Sequence, residues 1–569
     1  MRPLIILALA AAVAHAAPQS TQKAPAFSVV EATIPEMQRA MKDHRVTSRE
    51  LVTQYLTRIA LYDKRINAAI TINPHALEDA DARDAERAAG RVRGPLHGIP
   101  IALKDNIHTI DMRTTGGARA FANFTPPYDA TLTKNLREAG AVIIAKTVLT
   151  ELANWVAGAP TPMPGNYSAV GGFAFNPYDP RPDPRPSSDG GPVLSTGGSS
   201  SGAGTAANFW AANVGSDTAG SVVNPAALTM LVGIRPTTGL ISRHGIMPIT
   251  ADQDTAGPMA RTVTDAAILL SALVSASPDP NDPATTRCAA PAGRGLRVDY
   301  SAFLKADALK GARIGIPRAN YYDRLPNGRG GLNDAQTKLM TDAIDIMRRA
   351  GAVIVDPANM PTIVDQDPAE NILTFGICSG LTNGKGNDES CSVVLKYGMK
   401  RDFNAYLAGL GAAAPVKSLT ELRAFNTAYA RAGAIKYGQS NLDISDEMDV
   451  VADKARYEAD RARDIRLAGD RGFKAAIDDN QLDALLFPGW AISNLASRPG
   501  YPEIVVPIGT VQGGGGGGAN PYPAGFVPNP SPYSAAFVGL PCSEPKLIAI
   551  AYAFEQLTKR RVPPPDLKK

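Results

Sequence analysis

Ser195-Thr-Gly-Gly-Ser-Ser-Ser-Gly-Ala-Gly-Thr205, followed by Gly215-Ser-Asp-Thr-Ala-Gly-Ser-Val-Val-Asn-Pro225, is the densest chemical signal in the chain. Two Gly/Ser turns on either side of an Ala-rich stretch gather backbone N–H groups and hydroxyls into one compact place. A flexible linker shares the Gly/Ser content but does not alternate with an Ala-rich, aromatic-bearing segment such as Ala206 to Ala212, which reads as helix.

Working outward, Ile99, Ile101 and Leu103, and later Ala141 to Ala145, are short apolar runs bounded by glycine and charge, the pattern of strands buried on both faces. Upstream, Ile34, Met37 and Met41 recur at helical spacing, and Thr47-x-x-Glu50 offers a capping box for a helix carrying Leu51, Tyr55, Leu56 and Ile59. Residues 335 to 352, 417 to 475 and Leu547 to Leu557 also read as helical. Strands alternating with helices predict an α/β fold built on a large, mainly parallel central sheet flanked by helices. Residues 176 to 198 and the six-glycine run Gly513 to Gly518 read as mobile loops.

Which serine attacks, if any does, depends on the base. Gly198-Ser-Ser-Ser-Gly202 matches the nucleophile elbow G-x-S-x-G, with Ser200 in the nucleophile's place. That chemistry needs an acid and then a histidine further on, and His244 is the last of six histidines. Ser543-Glu-Pro-Lys546 matches S-x-x-K, but a proline interrupts it and its usual companion motifs are missing. A lysine can replace histidine if burial lowers its pKa from about 10.4. In His97-Gly-Ile-Pro-Ile-Ala-Leu-Lys104-Asp-Asn-Ile107, Lys104 ends an apolar strand where water is scarce. Lys146 has a similar local setting and is the control, a strand-end lysine expected to reach solvent.

Composition narrows the field. Hydrophobic residues at 44% and charged residues at 20% are ordinary for a globular protein, and a net charge of +4 with no dense basic run argues against a nucleic-acid partner. Met1-Arg2-Pro3, the apolar run Leu4 to Val13 and Ala14-His15-Ala16 read as a signal peptide cleaved near Ala16, so a secreted or periplasmic protein is expected. Ten apolar residues are too few to span a bilayer, and no stable membrane insertion is expected. Of the four cysteines, Cys378 and Cys391 enclose a polar, Gly-rich loop and are the expected disulfide, with Cys288 and Cys542 left over. No cysteine or histidine cluster suggests a metal.

Together with Leu231-Val-Gly-Ile-Arg-Pro-Thr-Thr-Gly-Leu240 and Gln253-Asp-Thr-Ala-Gly-Pro-Met-Ala-Arg-Thr262, these elements resemble the amidase signature family. The likeness is strongest over 45 to 275, is weaker over 280 to 480, and returns in Gly500-Tyr-Pro-Glu-Ile-Val-Val-Pro507. It goes with a division into a signal peptide at 1–16, an N-terminal helical segment at 17–90, and a catalytic domain at 91–569 with its core at about 95–275 and a variable insertion at about 280–480. It also implies Lys104 as base, Ser199 as relay and Ser221 as nucleophile, working through an acyl-enzyme without metal or cofactor. The backbone N–H groups of Thr218, Ala219, Gly220 and Ser221 would receive the developing oxyanion, with Ser200 and Asp217 in support.

Two departures stand out. Ser199 and Ser221 are 22 positions apart, about two fewer than is usual in the family, and Val222-Val223 replaces the Ile-Arg often found after the nucleophile. The arginine-free variant resembles the peptide amidase branch and implies an uncharged small-molecule or peptide amide substrate. Competing expectations are the glutaminase subunit of a tRNA-dependent amidotransferase and an exported binding protein that keeps the fold without the activity.

Overall fold

A computed structural model describes residues 27–198, 201–288, 298–386, 389–512 and 521–567. Near its start lie two capped helices, α1 (Ile34–Lys42) and α2 (Ser48–Ile66). Thr47 Oγ1 accepts from the Glu50 N–H at 3.1 Å, and the Glu50 carboxylate accepts from the Thr47 N–H at 2.8 Å. That reciprocal pair is the expected capping box. Leu51, Tyr55 and Ile59 then face the core from one side of α2.

The core is an 11-stranded mixed sheet. Its strands are β1 (Ala69–Ile72), β2 (Pro100–Lys104), β3 (Val142–Thr147), β4 (Ala212–Asp217), β5 (Val232–Arg235), β6 (Thr255–Ala260), β7 (Arg313–Gly315), β8 (Val353–Val355), β9 (Ala484–Pro488), β10 (Glu503–Val511) and β11 (Ser531–Val538). They lie in the order β1-β3-β2-β4-β6-β5-β10-β11-β9-β7-β8. Parallel pairing joins β3, β2 and β4 near one flank and β9, β7 and β8 at the other, and antiparallel neighbours fill the middle. Every residue of β2, β3 and β4 is buried, which is why β2 and β3 are apolar without alternation up to the lysine near each end, whereas β4 buries the polar Asn213, Ser216 and Asp217.

Two expectations change. The N-terminal segment is not wholly helical, because β1 pairs antiparallel with β3. The 280–480 region is no mere insertion, since β7 and β8 complete the central sheet. Its 417–475 portion is helical as expected, with helices at Leu419–Ala428, Ser440–Asp446 and Lys454–Asp464, followed by a wider helical stretch at Ile465–Lys474.

A third change lies at the centre of the decisive stretch. The short helix α3 covers only Gly202–Ala206, and Ala206 to Ala212 does not continue it. Asn208 turns left-handed at φ 58°, and β4 begins at Ala212. Side chains override the alanine propensity here: Trp210 is fully buried, its Nε1 donates to Thr205 Oγ1 at 2.7 Å, and Thr205 Oγ1 donates to Asn213 Oδ1 at 2.6 Å. Gly204 is required beneath this fold-back, because a Cβ there would lie 2.0 Å from the Trp210 ring.

The cysteines form Cys378–Cys391 as expected, and Cys288–Cys542 ties the segment after β6 to the start of the last helix, Glu544–Thr558. Residues 176 to 198 are largely loop, yet anchored. Arg181 pairs with Asp179 and stacks 4.4 Å from the Phe526 ring, while Arg185 stacks 4.2 Å from Tyr522. Among the described residues no helix is long and apolar enough to cross a membrane. The Gly513 to Gly518 run and residues 1–16, expected as a signal peptide, lie outside the described residues.

Candidate functional site

Parallel pairing of β2 with β4 places Leu103 opposite Val214, so the ends of the two strands arrive together. Lys104, the last residue of β2, is fully buried, and its Nζ donates to Ser216 Oγ at 2.9 Å and to the Ser216 carbonyl at 3.2 Å. Asn106 Nδ2 donates to the same Ser216 Oγ at 2.9 Å, which fixes the hydroxyl between amide and amine. Burial pushes the Lys104 amine down to about 7, against the opposing pull of the Asp217 and Asp254 carboxylates.

An ammonium has three protons to donate, whereas a neutral amine has two and a lone pair. Among the described residues, Lys104 has two hydrogen-bond acceptors, both on Ser216.

After β4 the chain makes a tight turn through Thr218, Ala219 and Gly220 into Ser221, ahead of a short helix α4 (Val223–Leu228). Asp217 organises the turn from beneath, its Oδ1 accepting from the Gly220 N–H and its Oδ2 from the Val222 N–H, both at 2.7 Å. The Gly220 N–H, expected as an oxyanion donor, is thus held by Asp217 in this structure. Gly220 has φ 114°, and a Cβ there would meet Ser493 Cβ at 2.9 Å, so the turn needs glycine twice over.

Ser199 and Ser200 lie outside the described residues. Their neighbour Gly198 is informative, because a Cβ built on it would stand 3.7 Å from Ser221 Oγ. Gly198 therefore lies close to the Ser221 hydroxyl. Val222 and Val223 are fully buried and present no charge.

Lys146, expected in solvent, is also fully buried. Its Nζ donates to the Ile107 carbonyl at 2.7 Å, to Thr114 Oγ1 at 2.7 Å and to the Arg113 carbonyl at 3.2 Å, and lies 3.4 Å from Asp105 Oδ1. Three acceptors and a carboxylate make this a structural ammonium, although burial draws its pKa downward and that of Asp105 upward. Geometry decides here, since an amine with three acceptors keeps its third proton. Lys546 of the S-x-x-K match is an exposed partner of Asp483 and no base. Burial holds His108 down to about 3 and lowers His244, so both rings are neutral.

Several groups around the site carry no signal in the sequence alone. Ser216 lies within the Gly/Ser motif, but only the β2/β4 pairing turns it to Lys104. Asn106 follows Lys104 by two positions, and Asp254 accepts from Thr218 Oγ1 at 2.5 Å across the sheet. Behind the turn, buried Arg235 has its Nε 3.6 Å from Asp217 Oδ1, and Ser493 donates to the buried Glu503 at 3.0 Å. Burial and the nearby Asp217 charge raise Glu503 to about 8. Next to Ser216 and Thr218 opens a cavity of about 560 Å³. Among the described residues no group of three or more His, Cys, Asp or Glu side chains could hold a metal ion.

The profile of the family described as Amidase matches residues 50–397. A probable amidase of Arabidopsis thaliana is 33% identical over 565 residues, spanning 99% of this chain and 96% of that protein. A glutamyl-tRNA(Gln) amidotransferase component of Thermosynechococcus vestitus is 31% identical over 94% of this chain and 99% of its own. Among solved structures, the peptide amidase of Stenotrophomonas maltophilia is 36% identical with a TM-score of 0.76, covering 94% of this chain and 98% of that one. The chain therefore belongs to the amidase family, whose members hydrolyse amide carbon–nitrogen bonds.

Proposed function

We propose that the protein is an exported amidase that cleaves an uncharged carboxamide by a Ser221–Ser199–Lys104 relay. The observation that carries this reading is the Lys104 amine, sealed from water, titrating near 7 and hydrogen-bonded only to Ser216 among the described residues. In the neutral form it takes a proton from Ser199, which takes one from Ser221 as the Ser221 oxygen bonds to the carbonyl carbon. The relay reverses to protonate the departing nitrogen, the C–N bond breaks, and water releases the acid from the acyl-enzyme. The N–H groups of Thr218, Ala219 and Ser221 stabilise the oxyanion, each such donor being worth about 2.7–4 kcal/mol of barrier.

A serine-directed fluorophosphonate, applied with an assay of ammonia or amine release, tests the reading. Wild type is expected to label and to hydrolyse peptide amides or aryl amides, and Ser221→Ala to do neither. Labelling and turnover retained in Ser221→Ala would remove that residue as nucleophile. Export is supported by the segment Met1 to Ala16 and by the two disulfides. N-terminal sequencing of secreted protein is expected to begin at Ala17.

A second reading, the glutaminase component of an amidotransferase, is favoured by the likeness to the Thermosynechococcus protein. Ammonia release from free glutamine at a rate above that from neutral amides would favour it.

A further inference from the structure

The cavity beside the turn is walled partly by the signature motifs and partly by segments outside them. Its inner end is Ser216, which holds the Lys104 amine, and Thr218, whose N–H belongs to the turn before Ser221. Outward, the Tyr128 and His244 rings stack at 4.9 Å with 6° between planes. Tyr406 also lines the cavity, its hydroxyl 2.8 Å from His108 Nε2, on the helix Val394–Leu410. Met247 and Ile249 add apolar surface to a lining that also carries Arg243, Asp254, Asp282 and Asp402. The 560 Å³ volume falls within the range of about 300–1,000 Å³ typical of small-molecule sites.

The charges in this wall already have partners. Arg243 Nε donates to Asp282 Oδ2 at 2.7 Å, and its Nη1 is bound to the Ala251 carbonyl. Asp402 accepts from the Ala251 N–H at 2.7 Å and pairs with Arg401. Asp254 accepts from the N–H groups of Ile249 at 2.8 Å and Thr250 at 3.0 Å and from the Thr218 hydroxyl. A carboxylate entering here finds the lining cation Arg243 engaged, and meets the carboxyl groups of Asp254, Asp282 and Asp402. A flat apolar group instead finds rings at van der Waals reach and loses water contact.

We propose that this cavity receives the acyl group of the substrate and selects a bulky apolar or aromatic acyl group over a carboxylate-bearing one. The inference rests on the amide-hydrolase reading. For a primary amide the departing half is only ammonia, so selectivity for size has to act on the acyl side.

The test compares kcat/KM in two series: primary amides with acetyl, phenylacetyl, N-acetylphenylalanyl or N-acetylaspartyl groups, and acetamides varied on nitrogen. Wild type is expected to prefer the aromatic primary amides to acetamide by at least tenfold and to disfavour the aspartyl amide by as much. Gly409 lines the cavity on the Tyr406 helix, and a Cβ there meets nothing within 4 Å, so Gly409→Trp fills the space without a clash at Cβ. It should reduce the aromatic-to-acetamide ratio at least tenfold, chiefly through KM. An unchanged ratio in Gly409→Trp, no preference against the aspartyl amide, or discrimination confined to the nitrogen-varied series would overturn the proposal. Failure of wild type to turn over any amide would overturn the hydrolase reading itself, and is told apart from these by the acetamide control.

Discussion

Lys104 and Lys146 lie at the ends of neighbouring parallel strands, β2 and β3, and both are fully buried. They differ in what surrounds the amine. Lys146 meets three hydrogen-bond acceptors and the Asp105 carboxylate, the environment of a permanent cation that fastens the Arg113–Thr114 segment to the sheet. Lys104 meets Ser216 alone among the described residues, with carboxylates near enough to be felt but not to pair. Burial by itself therefore does not make a base; burial without an ion-pair partner does.

Exchanging each lysine sharpens that contrast. Lys104→Ala should reduce amide turnover by about 10²–10⁴-fold, the usual worth of a positioned general base, while its circular dichroism stays native. Lys104→Arg should be as inactive, because a guanidinium does not lose its proton near neutrality. Lys146→Met should act on the fold, costing about 3–5 kcal/mol in denaturant unfolding because Asp105 is left buried and unpaired. Activity lost in Lys146→Met at full stability would break the distinction between the two lysines. The smallest effect is expected from Ser216→Ala, which removes the hydroxyl that holds the amine: about a tenfold fall in kcat, in line with about 1–3 kcal/mol for a buried group left without its partner.

How legible this is in the sequence follows from the range of the interactions. The capping box at Thr47 and Glu50 and the apolar runs of β2 and β3 are local patterns, and they appear where the residues put them. Lys146 misleads because its partners Asp105, Ile107 and Thr114 lie some 30 to 40 positions upstream and meet it only once β2 and β3 pair. Ala206 to Ala212 misleads because alanine propensity is a weak prior against the Thr205–Trp210–Asn213 hydrogen bonds. The motif order leads to Lys104 and to the turn before Ser221. It does not disclose that Asp217 occupies the Gly220 N–H, nor that Tyr406, from a region without recognisable motifs, walls the adjoining cavity.

The proposed chemistry stands on the protonation state of one amine, and the pH dependence of kcat/KM for a neutral amide reads it directly. The neutral form is the competent one, so activity should be full above about 7 and decline tenfold per pH unit below it, with the inflection at the lowered Lys104 value. A profile flat down to about pH 5, or one still climbing towards the ordinary lysine value of 10.5, would contradict it.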